Sequence, residues 1–342
     1  MYLLEELRNR FSNTDPPQSL TILRNDHLGD LVLTLPLLRQ AEDWLGPGNV
    51  TAVVDTPYPP LLERLPLSLS VDTDDGGHWK QLGETLRNTG ADTLITAASK
   101  TRNALASQYS GIKQRLGFGY KLSMIFYTNP LFRHRKNPPI HESEFCLEYL
   151  RMLPDAPTKP PELPGYRATR DDRKQAETVL NHLGLQNREY VIVHPGHSES
   201  ANHFTPEQYR MLIEDLQENQ PVLLTGKGDE ERDLLKRLQK NLPNAVALKQ
   251  DLSLPVFARI IEEAQIYIGG SSGPLHLASL VGTRRLGLYS NDPRYQPAKW
   301  KPLGDNQVIL TPPKGVTLDS MNPEGVLDTI RKNFLDAEGL RD

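Results

Sequence analysis

The chain of 342 residues has a single cysteine, Cys146, and so cannot form a disulfide within itself. Its neighbours Phe145 and Leu147 are apolar, which favours a small buried side chain over a reactive thiol. No apolar run approaches the roughly 20 residues that cross a bilayer, and Glu5 and Glu6 are atypical of a signal peptide. We therefore expect a cytoplasmic protein, with a peripheral position on the cytoplasmic face of a membrane as an alternative.

Neither sign of charge is in large excess, since 39 basic and 43 acidic residues give a formal net charge of −4. This argues against the general attraction that draws strongly basic proteins to nucleic acid. One segment is unbalanced, because no acidic residue occurs between Asp92 and Glu142. Its basic residues are Lys100, Arg102, Lys113, Arg115, Lys121, Arg133, Arg135 and Lys136. This local charge predicts an anionic partner, and we favour a sugar or lipid over nucleic acid.

Strand and helix patterns alternate along the chain. Apolar strands are predicted at 20–23 and 50–54 with a helix over 31–44 between them, which is typical of a parallel sheet. Further strands are predicted at 93–96, 115–118, 190–193, 222–225, 246–248, 265–268 and 286–289. Further helices are predicted at 1–12, 141–153, 170–184, 206–218 and 229–240, with a last helix from Pro323.

Five prolines between Pro154 and Pro164 predict a stiff linker. We therefore predict an α/β fold with two Rossmann-like, doubly wound domains, 1–160 and 166–342, facing a central cleft. The last helix is a candidate to cross back to the first domain. Domains of this kind bind ligands at the carboxyl ends of their strands, so the turns at those ends are the candidate sites.

The first candidate site is the polar turn over residues 25–30, between a predicted strand and a predicted helix. Gly29 allows a tight turn or the close approach of a ligand. Asp30 falls in the first helical turn, where one interpretation is a cap that complements the helix dipole. The other is a general base that takes a proton from an attacking sugar hydroxyl, with Asp26 as a weaker candidate for that role.

The second candidate site covers residues 269–277, again between a strand and a helix. Ser271, Ser272, Gly273 and Pro274 suit a helix start whose free amides bind an anion such as a diphosphate, and His276 adds a donor. An ordinary capped helix with a packed histidine is the alternative. The stretch also fits the Gly-x-Ser-x-Gly elbow of α/β-hydrolases, but no histidine follows His276 to complete that triad.

Two further turns follow predicted strands. His194, Gly196 and Ser198 form a loop suited to phosphate; His197 and His203 lie nearby, but we predict no metal because suitable additional ligands are lacking. Residues 225–231 lack the Gly-Lys-Ser/Thr ending of a P-loop. Their acidic residues suit either ribose hydroxyls or the first turn of a helix.

Together these motifs resemble glycosyltransferase family nine, the lipopolysaccharide heptosyltransferases. The resemblance runs from about Leu20 to Gly304, and its five segments keep the family's order and spacing. They are the Gly-Asp turn through Thr-x-Pro (28–36), His-Pro-Gly (194–196), Gly-x-x-x-Glu (226–230), Ser-Gly-x-x-His-Leu-Ala (272–278) and Trp-x-Pro-x-Gly (300–304).

The resemblance implies a GT-B fold and inverting transfer from a nucleotide sugar, commonly ADP-heptose, to a lipopolysaccharide core, with no required cofactor. It implies that Asp30 is the catalytic base. The predicted donor-binding residues are His194, Gly196, Ser198, Glu230, Ser271, Ser272, Gly273, Pro274 and His276. The predicted acceptor-binding residues are Asp26, Gly29, Arg102, Lys113, Arg115 and Lys121.

Two positions depart from the family pattern. Ser271 stands where the family has an aspartate expected to touch the donor sugar, and Asn202 stands where it has a lysine expected to neutralise phosphate. Lys227 or His203 are candidates to compensate. Two alternatives therefore stay open: a transferase that uses another donor, and a family member that binds a nucleotide or glycan without catalysis.

Overall fold

The computed structural model describes residues 15–134, 139–157, 159–196 and 203–335. The helix predicted over 1–12 lies outside these residues. The chain divides into two compact units, Met1–Gly165 and Tyr166–Asp342. Among the described residues, no helix combines the length and apolar character that a bilayer span requires.

The described part of the first unit contains one parallel sheet of six strands in the order β3-β2-β1-β4-β5-β6. The strands are β1 (Leu20–Arg24), β2 (Val50–Asp55), β3 (Ser70–Asp74), β4 (Thr93–Thr96), β5 (Gln114–Phe118) and β6 (Asn129–Leu131). The helices are α1 (Leu28–Leu45), α2 (Pro59–Leu62), α3 (Trp79–Asn88), α4 (Thr101–Ser110) and α5 (Glu142–Arg151). A 3₁₀ helix, Leu122–Phe126, connects β5 to β6.

The described part of the second unit repeats this arrangement with a sheet in the order β12-β11-β10-β7-β8-β9. The strands are β7 (Val191–His194), β8 (Val222–Leu224), β9 (Ala245–Ala247), β10 (Ile266–Gly270), β11 (Arg285–Leu288) and β12 (Gln307–Leu310). The helices are α6 (Arg170–His182), α7 (Pro206–Asn219), α8 (Asp229–Gln239), α9 (Leu254–Glu262), α10 (Gly273–Leu280), α11 (Pro297–Trp300) and α12 (Pro323–Ile330). A 3₁₀ turn, Leu318–Ser320, precedes α12, and a π-helical turn, Arg331–Leu335, follows it.

The central strands of both sheets are buried on both faces. Strands β1, β4 and β7 have no exposed residue, as expected where helices cover a parallel sheet on both sides. The last helix packs in the core of the second unit, where Val326 and Ile330 join the residues that cover the sheet.

Both sheets have one topology, since each reverses its strand order beside its first strand. In the first unit the reversal falls between β1 and β4, and in the second between β7 and β10. Such a switch point leaves a crevice at the carboxyl ends of the two strands, where doubly wound domains bind ligands. The predicted turns at 25–30 and 269–277 follow β1 and β10, so each lies at the switch point of its own sheet.

Candidate active site

The carboxyl edge of the first sheet is organised around one buried arginine. Arg24 ends β1, is 2% exposed, and lies beside three carboxylates. Its guanidinium nitrogens are 2.8 Å from Asp26 Oδ1, 2.5 Å from Asp30 Oδ1 and 3.1 Å from Glu142 Oε1. Burial opposes the charge of Arg24, but the carboxylates of Asp30 and Asp26 raise its pKa above the usual range.

Like Asp26, whose side chain is 17% exposed, Asp30 is both held by Arg24 and partly accessible. It lies in the first turn of α1, and its side chain is 19% exposed. Its Oδ1 accepts a hydrogen bond from Arg24, whereas no donor to Oδ2 is found in the described part of the chain. Gly29 beside it is buried. The arrangement fixes one carboxylate oxygen and leaves the other to accept a proton.

Asp26 lies on the other side of the same guanidinium. Burial and the charge of Asp30 raise the pKa of Asp26, while Arg24 works in the opposite direction. The hydroxyl of Tyr58 donates to the backbone carbonyl of Asp26 at 3.0 Å, which holds the turn against the chain after β2. Asp26 and Asp30 therefore share one cation, and Asp26 is the carboxylate that holds a proton more readily than usual.

The predicted acceptor-binding cation Arg102 has carboxylate and carbonyl partners. It makes a bidentate ion pair with Asp74, at 2.5 and 2.6 Å, and donates to the carbonyl of Gly77. Asn25 also donates to Asp74, at 2.5 Å. Burial raises the pKa of Asp74, but the hydrogen bonds from Arg102 and Asn25 outweigh it and the pKa is lowered. This pair links the end of β3 to the first turn of α4.

The remaining predicted acceptor-binding cations are divided between the two edges of the first sheet. Lys121 follows β5 and donates to the carbonyl of Ser99, beyond the end of β4, at 2.7 Å, so it lies at the carboxyl edge. Lys113 precedes β5, and Arg115 is its second residue. The guanidinium of Arg115 donates to the carbonyls of Ile112 and Phe126. Because parallel strands share one direction, these two cations lie at the opposite edge from Asp30.

An uncharged histidine lies at the carboxyl edge of the second sheet. His194 ends β7, is 6% exposed, and its Nδ1 lies 2.9 Å from the hydroxyl of Thr225. Burial lowers the pKa of His194 to about 4, so its ring is uncharged at neutral pH. The ring stacks on that of Tyr267, with 6.1 Å between the centroids.

The start of α10 lies beside His194, because β10 pairs with β7 and Gly269 is the register partner of His194. Pro274 is at the second helical position, where it fits without loss of a bond. The amides of Ser272 and Gly273 find no acceptor within the described residues. The turn therefore presents donors and no charge.

Two other predicted donor residues at this turn have distinct surroundings. Ser271 is half-buried beside Tyr289, whose hydroxyl donates to the carbonyl of Trp300 at 2.7 Å. Burial raises the pKa of Tyr289, and the nearby Ser271 offsets part of that rise. His276 lies one turn into α10 and is 4% exposed. Ser198 and Asn202 lie outside the described residues.

Glu231 is an acidic residue of the 225–231 turn that the sequence analysis did not select, since it chose the adjacent Glu230. A Cβ atom on Gly196 would lie 2.5 Å from Glu231 Oε1, and one on Gly226 would lie 3.0 Å from Oε2. Its Oε2 also accepts from the amide of Lys227 at 2.6 Å. The side chain therefore lies across the ends of β7 and β8, whereas the predicted residue Glu230 is exposed. The two glycines are the signal that could have identified it, since both make room for one side chain.

Within the described residues, no group of three histidine, cysteine or acidic side chains is placed to hold a metal ion. His197 lies outside these residues. The two carboxyl edges thus offer three kinds of chemistry: a partly exposed carboxylate, unbonded amides at a helix start, and acidic side chains suited to hydroxyl groups.

The sequence model of glycosyltransferase family 9 (heptosyltransferase) matches residues 79–321. A putative glycosyltransferase of Haemophilus influenzae is 29% identical over 315 residues, covering 87% of this chain and 90% of that protein. The lipopolysaccharide core heptosyltransferase OpsX of the same organism is 23% identical over 288 residues, covering 81% of this chain and 80% of that protein. These matches confirm the family predicted from the motifs.

The fold has solved counterparts as well. The structure of the ADP-heptose lipopolysaccharide heptosyltransferase II of E. coli aligns with a TM-score of 0.77 at 17% identity, covering 94% of this chain and 99% of that one. At that identity the likeness concerns the fold, and the predicted α/β fold with two doubly wound, parallel sheets is confirmed.

Proposed function

The chain belongs to glycosyltransferase family 9, and from that premise we propose that it moves a sugar, with inversion, from a nucleotide diphosphate to an anionic glycolipid. Heptose from ADP-heptose is the first candidate donor and a lipopolysaccharide core the first candidate acceptor. Two relatives support this choice, since one is named a lipopolysaccharide core heptosyltransferase and the other an ADP-heptose lipopolysaccharide heptosyltransferase.

The proposal rests on the carboxylate of Asp30, in which Oδ1 has a hydrogen-bond donor and no donor to Oδ2 is found among the described residues. Arg24 fixes Oδ1 at 2.5 Å, and Oδ2 accepts the proton of the acceptor hydroxyl. The hydroxyl oxygen then forms a bond to the anomeric carbon as the bond from that carbon to the diphosphate oxygen breaks. A single displacement from the opposite face inverts the anomeric centre, and the bonding electrons leave with the diphosphate.

The second unit suits the departing diphosphate. The amides of Ser272 and Gly273 start α10, where N–H groups and the helix dipole favour an anion. Ser271 in place of a carboxylate removes a negative charge from this turn, and the neutral ring of His194 adds none. Charge that develops on the leaving oxygen is stabilised by donors already in position.

The nucleotide needs hydrogen-bond acceptors for its ribose hydroxyls. Glu231 supplies them at the ends of β7 and β8, where its carboxylate lies against Gly196 and Gly226. This assignment moves the ribose contact by one residue from the predicted Glu230, which is exposed. The acidic group lies near the strand ends that bind ligands in this type of domain.

The acceptor side is proposed to use Lys121 and Asp26 at the carboxyl edge of the first sheet. Lys121 suits a phosphate or carboxylate of the acceptor. Asp26 is positioned for acceptor hydroxyls beside the base. Because such an acceptor is a lipid, the proposal includes peripheral contact with a membrane surface.

A second candidate function is binding of a nucleotide or glycan without transfer. It is favoured by Ser271 and Asn202, which replace the acidic and basic side chains expected in the family. A transferase with another donor is favoured by the same two residues, since both positions concern donor contacts.

One experiment distinguishes these candidates. The chain is incubated with ADP-, GDP- and UDP-sugars and a lipopolysaccharide core acceptor, and nucleotide release is measured for the wild type and for Asp30→Ala. Release that requires the acceptor and disappears in the variant supports transfer with Asp30 as base, and the anomeric configuration of the product tests inversion. Release that persists in the variant contradicts the base assignment. Nucleotide binding without release from any donor establishes the non-catalytic alternative.

A further inference from the structure

Two strongly exposed apolar side chains project from the 3₁₀ helix Leu122–Phe126 of the first unit. Leu122 is 93% exposed and Ile125 is 70% exposed, the highest values among the large apolar side chains that are described as exposed. Side chains three positions apart eclipse each other in a 3₁₀ helix, so both project to the same side. We call this pair the apolar tip.

The backbone around the apolar tip is anchored. Tyr127 is 3% exposed and packs across Gly117, where a Cβ atom would lie 2.2 Å from the tyrosine ring. Before the tip, Lys121 donates to the carbonyl of Ser99 at 2.7 Å. After it, Arg115 donates to the carbonyl of Phe126 at 3.2 Å. The exposure of the tip therefore belongs to a fixed part of the fold.

Two exposed cations belong to the segments next to the apolar tip. Lys121 precedes it directly, and Arg133 is also exposed. The rings of Tyr120 and His134 stack with 4.4 Å between centroids, which brings the segment that carries Arg133 close to Lys121. No acidic residue occurs anywhere from 93 to 141, and the sequence continues from His134 with two more cations that lie outside the described residues. The tip is thus a small apolar projection in a positive setting.

We propose that the apolar tip docks the first unit on an anionic lipid bilayer. Leu122 and Ile125 enter the boundary between headgroups and acyl chains, while Arg133 faces lipid phosphates. Two apolar side chains alone bind a membrane weakly, and nearby cations add attraction to anionic lipid. The choice of a bilayer over a protein partner follows from this charge complementarity. The inference rests on the proposed function only in that a glycolipid acceptor lies in such a surface.

The test is sedimentation of the full chain with vesicles of phosphatidylcholine alone or mixed with phosphatidylglycerol, without acceptor glycolipid. Wild type is expected to bind the anionic vesicles, and less so as salt is added. The double variant Leu122→Ser/Ile125→Ser is expected to bind them at least about tenfold more weakly. Arg133→Gln is expected to weaken binding about fivefold, the effect of one lost cation near the surface.

Met211→Ser is the matched control, since Met211 is an apolar side chain of the second unit that is 48% exposed. It should bind vesicles like the wild type. Equal binding to neutral vesicles, absence of binding by the wild type, or full binding by the double variant would overturn the proposal. So would a wild-type dimer in sedimentation velocity that the double variant loses, if no vesicle binding accompanies it.

These outcomes are separable from those of sugar transfer, because the vesicles contain neither donor nor acceptor. With a water-soluble core glycan, the double variant should release nucleotide at the wild-type rate. With the same glycan on lipid in anionic vesicles, its rate should fall. Vesicle binding without sugar transfer from any donor would support docking and contradict the proposed function. Sugar transfer by a wild-type protein that does not bind vesicles would support the proposed transfer and contradict docking.

Discussion

The two sheets share one strand order, yet their carboxyl edges differ in charge. At the first, Arg24 lies within 3.1 Å of three carboxylates, and Arg102 pairs with a fourth. At the switch point of the second sheet lie the neutral ring of His194, serine hydroxyls and helix-start amides, and the carboxylate of Glu231 lies against Gly196 after β7. One architecture thus supports two electrostatic environments at the same topological position.

In the proposed mechanism, this difference separates the two tasks of a sugar transfer. Removing a proton requires a carboxylate that stays in place and keeps one oxygen available, and we propose that Arg24 holds Asp30 for this task. Stabilising a departing diphosphate requires hydrogen-bond donors, and we propose the amides of Ser272 and Gly273 for this task. Predictions about the two edges can therefore be tested independently.

The largest expected effect concerns the carboxyl edge of the first sheet, which we call the charged edge. Asp30→Asn should lower kcat by about 10²–10⁴-fold, the usual contribution of a positioned general base, and leave the KM for the donor nearly unchanged. Asp26→Asn should lower kcat much less, because Asp26 is proposed to bind acceptor hydroxyls and not to take the proton. Steady-state kinetics with saturating acceptor measure both.

The control for this comparison is Asp43→Asn, which makes the same change at an acidic residue of α1 whose side chain is 47% exposed. It should leave kcat unchanged. The Asp30→Asn protein should still fold, since Arg24 keeps Asp26 and Glu142 as partners. A larger loss of kcat in Asp26→Asn than in Asp30→Asn would reverse the two roles.

The second prediction concerns the cations of the charged edge. Arg102→Ala should lower the free energy of unfolding by about 3–5 kcal/mol, because the buried carboxylate of Asp74 loses its ionic partner. Lys121→Ala should change it by less than about 0.5 kcal/mol and raise the KM for the acceptor instead. Urea denaturation and acceptor kinetics give the two quantities.

Adding Asp74→Asn to Arg102→Ala should recover part of the lost stability, since no buried charge is then left unpaired. If Arg102→Ala were as stable as the wild type and bound acceptor poorly, Arg102 would be a ligand-binding residue, as its position in the basic segment suggests.

The third prediction tests whether His194, at the carboxyl edge of the second sheet, is uncharged in the folded protein. The pKa of His194 is lowered to about 4 from about 6.5 in the unfolded chain. As the pH falls, the unfolded state therefore takes up this proton at a higher pH than the folded state does. Stability from this group is complete above pH 6.5 and falls as the pH drops towards 4, by up to about 3 kcal/mol. Urea denaturation of the wild type and of His194→Gln across this range measures it.

The variant His194→Gln should lack this part of the pH dependence, whatever its stability at pH 7. His182→Gln, at an exposed histidine of α6, should retain it. Parallel pH profiles for the wild type and His194→Gln would mean that folding does not lower the pKa of His194, and this prediction would then be wrong.

Sequence patterns predicted the central strands and the edge strand β9, but missed the edge strands β3, β6 and β12, for a physical reason. β1 and β7 are buried throughout, and each is made mostly of apolar residues. β3 is largely exposed, β6 has three residues and contains Pro130, and β12 is half-buried throughout. β3 and β12 are covered less completely, so their sequences carry a weaker pattern, whereas β6 is buried but is only three residues long and includes a proline.

The candidate site was predictable where one segment contains it and unpredictable where distant segments meet. The turns around Asp30 and Ser272 each follow one strand. The contact of Arg24 with Glu142 joins residues 118 positions apart, and no local pattern indicates it. Glu231 was missed by one position because adjacent helical residues point about 100° apart.

The difference between Glu231 and the predicted Glu230 gives the smallest expected effect. Glu231→Gln should raise the KM for the donor about fivefold, since an amide keeps one acceptor oxygen and loses the charge that strengthens a bond to ribose. Glu230→Gln is the matched control and should leave the KM unchanged, because its side chain is exposed. Both variants should keep kcat within about twofold, since neither carboxylate takes part in proton transfer. A larger increase for Glu230→Gln would place the ribose contact at the residue first predicted. It would also mean that α8 presents a different face to the bound nucleotide.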